Sequence, residues 1–257
     1  TTKSWMVEFI RVNPCHPWLN PRPNHPLMLI RIKGAISNCY LLLGEKPVLV
    51  DTGAPGDLRA ILAAFQAHKV NPKSLALILL THGHSDHAGC AAELRRRTGA
   101  QIAIHAGDTP LVRAGRNGVL AVQDTLGRIL RPFVDEEFEA FEPDLVFHEG
   151  ITLEPYGLRG RVLTTPGHTG GSVSLVLASG EALIGDVLRG SLVWPNKARD
   201  HYFCNDPARN QRSIVRLARE GLLRCHPGTF GSFPGSELGR YLSTDGGEVL
   251  ELSGETV

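Results

Sequence analysis

Three histidines and one aspartate lie within six residues, directly after a continuous apolar run at residues 75–80. These four residues are His82, His84, Asp86 and His87. Imidazole nitrogens and carboxylate oxygens bind zinc and iron, and a loop at a strand end can turn all four side chains toward one point. Since the chain has only 11 histidines in 257 residues, their grouping here favours a metal site over a chance cluster of solvent-facing residues.

The pattern HxHxDH formed by these residues resembles the signature of the metallo-β-lactamase superfamily. Three more motifs of that family follow in the expected order. Residues 165–172 (TPGHTGGS) resemble its TPGHTxGS turn, residues 184–186 (IGD) its GD turn, and residues 225–228 (CHPG) its terminal histidine loop. Four motifs in this order make the resemblance specific.

The resemblance implies a site for two divalent metal ions per chain. The ligands carried over from the family are His82, His84 and His168 for one ion and Asp86, His87 and His226 for the other, with Asp186 bridging both. Zinc is the expected metal, although iron and manganese also suit a set of histidines and aspartates. A hydroxide held between two such ions would attack a polarised carbonyl group, and Asp86 would act catalytically by taking up a proton as the tetrahedral intermediate collapses.

Five residues outside the ligand set are further candidates. Asp51, at the end of a predicted strand, matches a common position of the family and would orient a ligand or a loop, with a simple helix-entry aspartate as the alternative. Arg189, three residues after the bridging aspartate, could meet an anionic substrate at the mouth of the cleft or be a solvated turn residue. His105, His148 and His201 lie outside the motifs, and each is a minor candidate for substrate contact.

The apolar pattern predicts two halves, each with strands followed by helices. A hairpin is expected from residues 27–32 and 35–43. One helix is expected to begin at Asp57, with that aspartate as its cap, and Gly99 is expected to end another. Further strands are predicted at residues 48–50, 75–80, 101–104, 161–164, 173–177, 182–184 and 222–225, and helices at residues 88–98 and 208–220. Together with the resemblance, this order predicts an α/β fold, a four-layer αβ/βα sandwich of two mixed β-sheets flanked by helices.

The length of the chain predicts a single domain over residues 1–257. Residues 106–150 lose strand character, with short helical stretches near Leu126 and at residues 135–141, and we expect them to form a lid inserted in that domain. This lid and the N-terminal stretch with Trp5 and Trp18 are expected to supply the pocket walls. The Pro-rich residues 14–26 could serve a homodimer or cover the core.

Charge and composition exclude several classes of partner. The chain has 27 Lys plus Arg against 26 Asp plus Glu, so it has no basic field for nucleic acid. No run approaches the ~20 apolar residues of a membrane span, and the first residues lack the apolar region of a signal peptide. We therefore expect a cytoplasmic protein that acts on a small molecule. The five scattered cysteines, without a CxxC pair, are expected to be reduced and mostly buried.

Departures from the family pattern narrow the kind of reaction. β-Lactamases typically have Cys or Ser near the position of Asp186, and the 31 residues after His226 (257 minus 226) leave no room for the helical domain of glyoxalase II. Acyl-homoserine lactonases resemble the layout but usually have Tyr where this chain has Arg189. We therefore expect a glyoxalase II-like or lactonase-like hydrolase of an ester, thioester or lactone. An iron-dependent, sulfur dioxygenase-like redox enzyme and a phosphodiesterase on the same fold are the alternatives.

Overall fold

Two β-sheets face each other and carry the loops in which the candidate ligands lie. The computed structural model describes residues 7–11 and 27–244. The first sheet has seven strands in the order of the chain: β1 (Val7–Arg11), β2 (Met28–Lys33), β3 (Asn38–Leu43), β4 (Val48–Val50), β5 (Leu77–Leu79), β6 (Gln101–His105) and β7 (Leu145–Phe147). Neighbouring strands are antiparallel from β1 to β4 and parallel from β4 to β7. The predicted hairpin is therefore confirmed as β2 and β3.

The second sheet comes from the second half of the chain. The remaining strands are β8 (Gly160–Thr164), β9 (Val173–Leu177), β10 (Glu181–Gly185), β11 (Arg189–Gly190), β12 (Ala198–Arg199), β13 (Arg224–Pro227) and β14 (Phe233–Pro234). Five of them form a sheet in the order β14-β13-β10-β9-β8, while β11 and β12 pair separately. Only the β10–β13 pair of this sheet is parallel.

The described helices lie on the outer faces of the two sheets and beside the loops that carry the candidate ligands. They are α1 (Leu58–Ala67), α2 (Ser85–Ala88), α3 (Ala91–Thr98), α4 (Thr109–Ala114), α5 (Thr125–Val134), α6 (Pro207–Ala218) and α7 (Ser236–Thr244). Buried residues of α1 and α3 pack on the first sheet, and those of α6 and α7 pack on the second.

Alternation of side chains along the strands fills the layer between the sheets. In β3, Leu41 packs toward the helices, whereas Tyr40 and Leu42 belong to a central cluster with residues of the second sheet such as Leu175 and Leu183. Because successive side chains of a strand point to opposite faces, each sheet has one apolar face for the helices and one for the other sheet. The predicted four-layer αβ/βα sandwich is confirmed.

Two local predictions are wrong. Asp57 precedes α1 as expected, but its carboxylate accepts hydrogen bonds from the backbone N–H groups of Ala35 and Ala54 (both 2.9 Å) and caps no helix. Residues 135–141 form no helix, and shortly after them the chain forms β7, a strand that the sequence did not predict. The strand β7 forms because it pairs with β6, whose residues lie about 40 positions earlier in the chain. Local sequence propensity does not predict such a distant pairing.

Some predictions concern residues outside the described part. Trp5, Trp18 and residues 14–26 lie there, so their proposed roles in a pocket wall or a dimer stay predictions. Cys39, Cys90, Cys204 and Cys225 are free and buried, as expected. Within residues 27–244, no helix has the length and apolar character needed to cross a membrane.

Candidate metal centre

The loop after β5 places three imidazoles around one point. The rings of His84 and His87 lie 4.8 and 4.0 Å from that of His82, measured between centroids, and all three side chains are buried. Helix α2 begins at Ser85, so Asp86 and His87 lie in its single turn, with Oδ2 of Asp86 3.6 Å from Nε2 of His87. One short turn of the chain therefore brings four predicted ligands together.

His168 approaches this turn from the second sheet, in the loop between β8 and β9. Its Nε2 lies 3.1 Å from Nδ1 of His84, and its ring lies 4.7 Å from that of His82. Its Nδ1 donates to the backbone oxygen of Phe203 at 2.8 Å, which leaves Nε2 free to bind a metal. One ligand atom from each of His82, His84 and His168 lies within 4.8 Å of the others, so these residues form a first group able to hold an ion.

Asp186 follows β10 and lies between the two sides of the cluster. Its Oδ2 is 3.3 Å from Nε2 of His87 and 3.7 Å from Nε2 of His168. With His82 and His87 it forms a second group within the same 4.8 Å. The predicted bridging aspartate thus contacts predicted ligands of both ions.

His201, which sequence reasoning gave only a minor role in substrate contact, belongs to the cluster. Its Nε2 lies 3.0 Å from Oδ2 of Asp186, and its ring lies 4.6 Å from that of His168. These three residues form a third group with ligand atoms within 4.8 Å. His201 follows β12 in a segment without helix or strand, and no motif in the sequence distinguishes it from His148.

The structure does not place His226, the remaining predicted ligand of the second ion, in any of these three groups. His226 is fully buried on β13, but its Nδ1 lies 2.9 Å from Oγ of Ser232, and its Nε2 has no hydrogen-bond partner and lies 3.8 Å from Oε1 of Glu181. The register explains this position. His226 pairs with Leu183 of β10, three residues before Asp186, and its side chain reaches toward the start of β10, away from the cluster.

Asp51 has the contacts expected of a residue that orients metal ligands. Its carboxylate accepts a hydrogen bond from Nδ1 of His87 at 2.8 Å and two more from Thr81, from the backbone N–H at 2.7 Å and from Oγ1 at 2.8 Å. The same Thr81 oxygen lies 3.1 Å from Nδ1 of His82. Asp51 therefore fixes His87 directly and His82 through Thr81, and in both rings the proton is held on Nδ1.

Asp108, which the sequence gave no reason to select, joins the two sides of the cluster. Its carboxylate accepts hydrogen bonds from the backbone N–H of Gly83 (2.9 Å), Oγ1 of Thr169 (2.6 Å) and the backbone N–H of Gly171 (2.8 Å). Gly83 lies between two of the histidines on one side, and Thr169 follows His168 on the other. Asp108 is buried, so it fixes the distance between the two loops.

The chemistry of the donors fits divalent metal ions. Nε2 of His82 and Nε2 of His87 are buried without a hydrogen-bond partner, a state that a bound ligand would relieve. Burial and the neighbouring imidazoles hold the pKa of His82 and His84 well below the usual value, and burial lowers the pKa of His168 to about 3. These rings are therefore neutral with free lone pairs. Although burial opposes it, the nearby His201 and His87 lower the pKa of Asp186, which is an anion.

A family model described as the metallo-beta-lactamase superfamily matches residues 32–208. The chain belongs to this superfamily. The match includes the HxHxDH segment, His168 and Asp186 and ends before His226. Membership in the superfamily, predicted from four motifs, is therefore confirmed.

Relatives within the superfamily are metallo-hydrolases. Hydroxyacylglutathione hydrolase of Anaeromyxobacter dehalogenans is 34% identical over 210 residues, which is 80% of this chain and 66%, slightly under two thirds, of that relative. Hydroxyacylglutathione hydrolase GloC of Haemophilus influenzae is 28% identical over 62% of this chain and 70% of its own length. The solved structure of TTHA1623 in a di-iron-bound form has a TM-score of 0.57 and 26% identity, covering 86% of this chain and 98% of that one.

The cluster of candidate ligands forms the floor of a pocket with a cavity volume of about 230 Å³. His84, Asp86, His168, Asp186 and His201 line the floor. The walls are mainly apolar and include Leu120, Leu130, Phe133, Phe203 and Phe230. Among these wall residues, Leu130 and Phe133 belong to α5, so the segment at residues 106–150 contributes to the pocket walls as expected. Among the residues that line this pocket, there is no lysine or arginine.

Arg189 and His105, two of the candidates for substrate contact, do not line this pocket. The guanidinium of Arg189 lies 4.1 Å from the ring centroid of Tyr202 and 5.8 Å from that of Phe230, behind two residues of the pocket wall. Burial lowers the pKa of Arg189. Nε2 of His105 donates to the backbone oxygen of His148 at 2.9 Å, outside the pocket.

Proposed function

We propose that this chain is a binuclear metal-dependent hydrolase that cleaves the ester, thioester or lactone bond of a small molecule. The observation that carries the proposal is the overlap of the three ligand groups, since His82, His168 and Asp186 each belong to two of them. These shared members support two neighbouring ion positions, which a two-metal site requires. Two ions bound there would acidify a water molecule and polarise a carbonyl oxygen, and zinc, iron and manganese all suit these donors.

The chain's own residues position the ions and handle the proton. His82, His84 and His168 provide three neutral nitrogens for one ion, and the turn that carries His87 provides ligands for the other. Asp86 lies at the pocket floor with Oδ2 near this second group. Its carboxylate can take up a proton when the substrate bond breaks and pass it to the leaving group.

The pocket walls support a substrate with an apolar acyl part. Leucine and phenylalanine side chains line the space above the cluster, and burial of an alkyl chain against them is favourable by about 0.8 kcal/mol per CH₂ group. The anionic substrate suggested by Arg189 has no support in the geometry, because that side chain lies behind Tyr202. Relatives named as hydroxyacylglutathione hydrolases favour a thioester as the bond that is cleaved.

The absence of cationic side chains disfavours the phosphodiesterase alternative. A phosphodiester carries a full negative charge, and such groups are typically bound by the guanidinium fork of Arg or the ammonium group of Lys. The described residues that line the pocket include neither. An uncharged carbonyl compound is therefore the better fit to these walls.

The proposal is tested by metal content and by turnover on a matched panel. The purified protein is loaded with zinc, and hydrolysis is measured for aryl esters and acyl thioesters with two to eight carbons, for lactones, and for an aryl phosphodiester. We expect two ions per chain and turnover that rises with acyl length, and both should collapse in His84→Ala. His148→Ala, which changes an exposed histidine far from the pocket, is the matched control and should behave like the wild type.

Two results would contradict the proposal. Hydrolysis of the phosphodiester alone would indicate the other reaction class on this fold. One iron per chain, with oxygen consumption and no cleavage of any ester or thioester, would indicate a redox enzyme.

A further inference from the structure

We infer that His201 completes the second metal site in place of His226. The inference rests on the binuclear site proposed above and assigns a ligand that none of the four sequence motifs contains. Nε2 of His201 lies 3.0 Å from Oδ2 of Asp186, the carboxylate between the two ion positions. Among the described histidines, His226 is separated from this carboxylate by the register of its strand, whereas His201 points directly at it.

The backbone around His226 prevents that side chain from turning into the cluster. The carbonyl oxygen of the next residue, Pro227, accepts hydrogen bonds from Oη of Tyr40 at 2.7 Å and from Nδ2 of Asn38 at 3.1 Å. The backbone N–H of Gly228 donates to the oxygen of Gly185 at 2.7 Å. Moving His226 toward Asp186 would break these bonds between the two sheets and within the second one.

The residues after β13 face the cluster but carry no imidazole. A Cβ atom at Gly228 would lie 2.4 Å from Cε1 of His87 and 2.5 Å from Oδ1 of Asp186, so the backbone there lies against the ligands and leaves space only for glycine. Thr229 follows, and its Oγ1 donates to Oδ1 of Asp186 at 3.1 Å. This end of the strand therefore leaves a ligand position open on the side of Asp186.

His201 fills that position from the loop between β12 and α6. Its Nε2 is 3.4 Å from Oγ1 of Thr229, at the side of Asp186 where the strand supplies only a hydroxyl. Its Nδ1 lies 3.2 Å from the backbone oxygen of Phe203, and donation to this oxygen leaves the lone pair of Nε2 for an ion. Phe203 also accepts the hydrogen bond from Nδ1 of His168, so one backbone segment orients two imidazoles toward the same carboxylate.

The test compares two matched substitutions in zinc titrations of the metal-free protein. His201→Gln and His226→Gln each replace one buried histidine with a side chain of similar size. Isothermal titration calorimetry with zinc, and metal content after gel filtration, count the ions. We expect two tight equivalents for the wild type and for His226→Gln. We expect His201→Gln to keep the first and to bind the second at least about 100-fold more weakly, because loss of a direct ligand exceeds the 10- to 100-fold effect typical of residues behind ligands.

Two tight equivalents in His201→Gln, or loss of the second in His226→Gln, would overturn the inference. If a variant does not fold, ¹⁵N-histidine NMR of the wild type decides the matter. Nε2 of His201 should shift on the second zinc equivalent while Nε2 of His226 stays unchanged, and the reverse pattern would refute the assignment. Neither readout uses turnover. A wild type that binds two ions and cleaves no ester would refute the hydrolase and leave the ligand assignment standing.

Discussion

The two sides of the metal cluster are built in different ways. On one side, a single segment of six residues that follows β5 and runs into α2 provides His82, His84, Asp86 and His87. On the other side, His168, Asp186 and His201 come from three loops, after β8, β10 and β12. The first side depends on local backbone geometry. The second depends on how strands pair and where each one ends, so a shift of register changes which residue reaches the cluster.

The largest effect on activity is expected from removing a ligand on the first side, which the six-residue segment provides. His84→Ala removes a predicted ligand of the first group and should lower kcat/KM at least about 1,000-fold, because an ion bound there would stabilise the transition state by several kcal/mol. Metal content should fall in parallel when it is measured by mass spectrometry after gel filtration. Activity that persists with full metal content would show that the turn is not the ligand source.

The second effect concerns the contact that holds the two sides together. Asp108→Ala leaves the three donors on Gly83, Thr169 and Gly171 without an acceptor. We expect a loss of about 3 kcal/mol in the free energy of unfolding, since unsatisfied buried donors cost about 1–3 kcal/mol each and some relax. Urea unfolding with and without zinc measures it. An unfolding free energy equal to that of the wild type would mean that the two loops are held by other contacts.

A smaller effect, on zinc affinity, is expected from Asp51, which lies behind His87 on the first side. Asp51→Asn keeps the size of the side chain, and asparagine tolerates the left-handed backbone at this position (φ 61°). It weakens the hydrogen bond to Nδ1 of His87, so zinc affinity should fall about 10- to 100-fold. Competition with a chromophoric chelator gives the affinity, and circular dichroism should show an intact fold. Unchanged affinity would show that His87 needs no carboxylate behind it.

The pH dependence of the unfolding free energy tests the second side of the cluster through His168. Burial lowers its pKa from 6.5 to about 3, so between these values the unfolded chain takes up a proton that the folded chain does not. The metal-free protein therefore loses stability as the pH falls through this window, with a contribution from His168 of up to about 1.4 kcal/mol per pH unit. Urea unfolding in chelator at several pH values should give a shallower slope for His168→Gln. An equal slope would assign the effect to other groups.

The smallest effect is expected at Arg189, behind the pocket wall. Arg189→Met keeps the length of the side chain but removes the cation over Tyr202, a contact of about 1 kcal/mol. We expect KM for an acyl thioester to rise only a few-fold with kcat nearly unchanged. A fall of two orders of magnitude, restricted to anionic substrates, would restore the role in substrate binding that the sequence suggested.

The contrast between the sides also explains what could be predicted from sequence. The strand at residues 75–80 and the histidines after it form one continuous pattern, so both the strand and the turn were identified. Alternating and continuous apolar runs likewise predicted the strands that place His168 and Asp186. The positions of Asp108 and His201 at the cluster were not predicted, because they depend on contacts with residues 15 or more positions away, which no local pattern records.

The position of His226 apart from the other predicted ligands has a definite physical cause. A histidine at the end of a late strand matched the family pattern, but the ligand position depends on the pairing of β13 with β10. That register places His226 opposite Leu183 and leaves Gly228 and Thr229 beside Asp186. A difference of two or three positions along a strand moves a side chain by about 7–10 Å, and sequence alone does not resolve it.

Helix α5 beside the pocket affects how a substrate would reach the cluster. Phe133 contributes to the pocket wall although it is 70% exposed, and Ile129 on the same helix is 60% exposed. Alkyl chains of any origin can adsorb to such a surface before one of them enters the pocket. Detergent monomers and micelles would therefore compete with a long-chain substrate for the same helix. Rates measured in detergent would then be lower than the turnover of the protein without detergent.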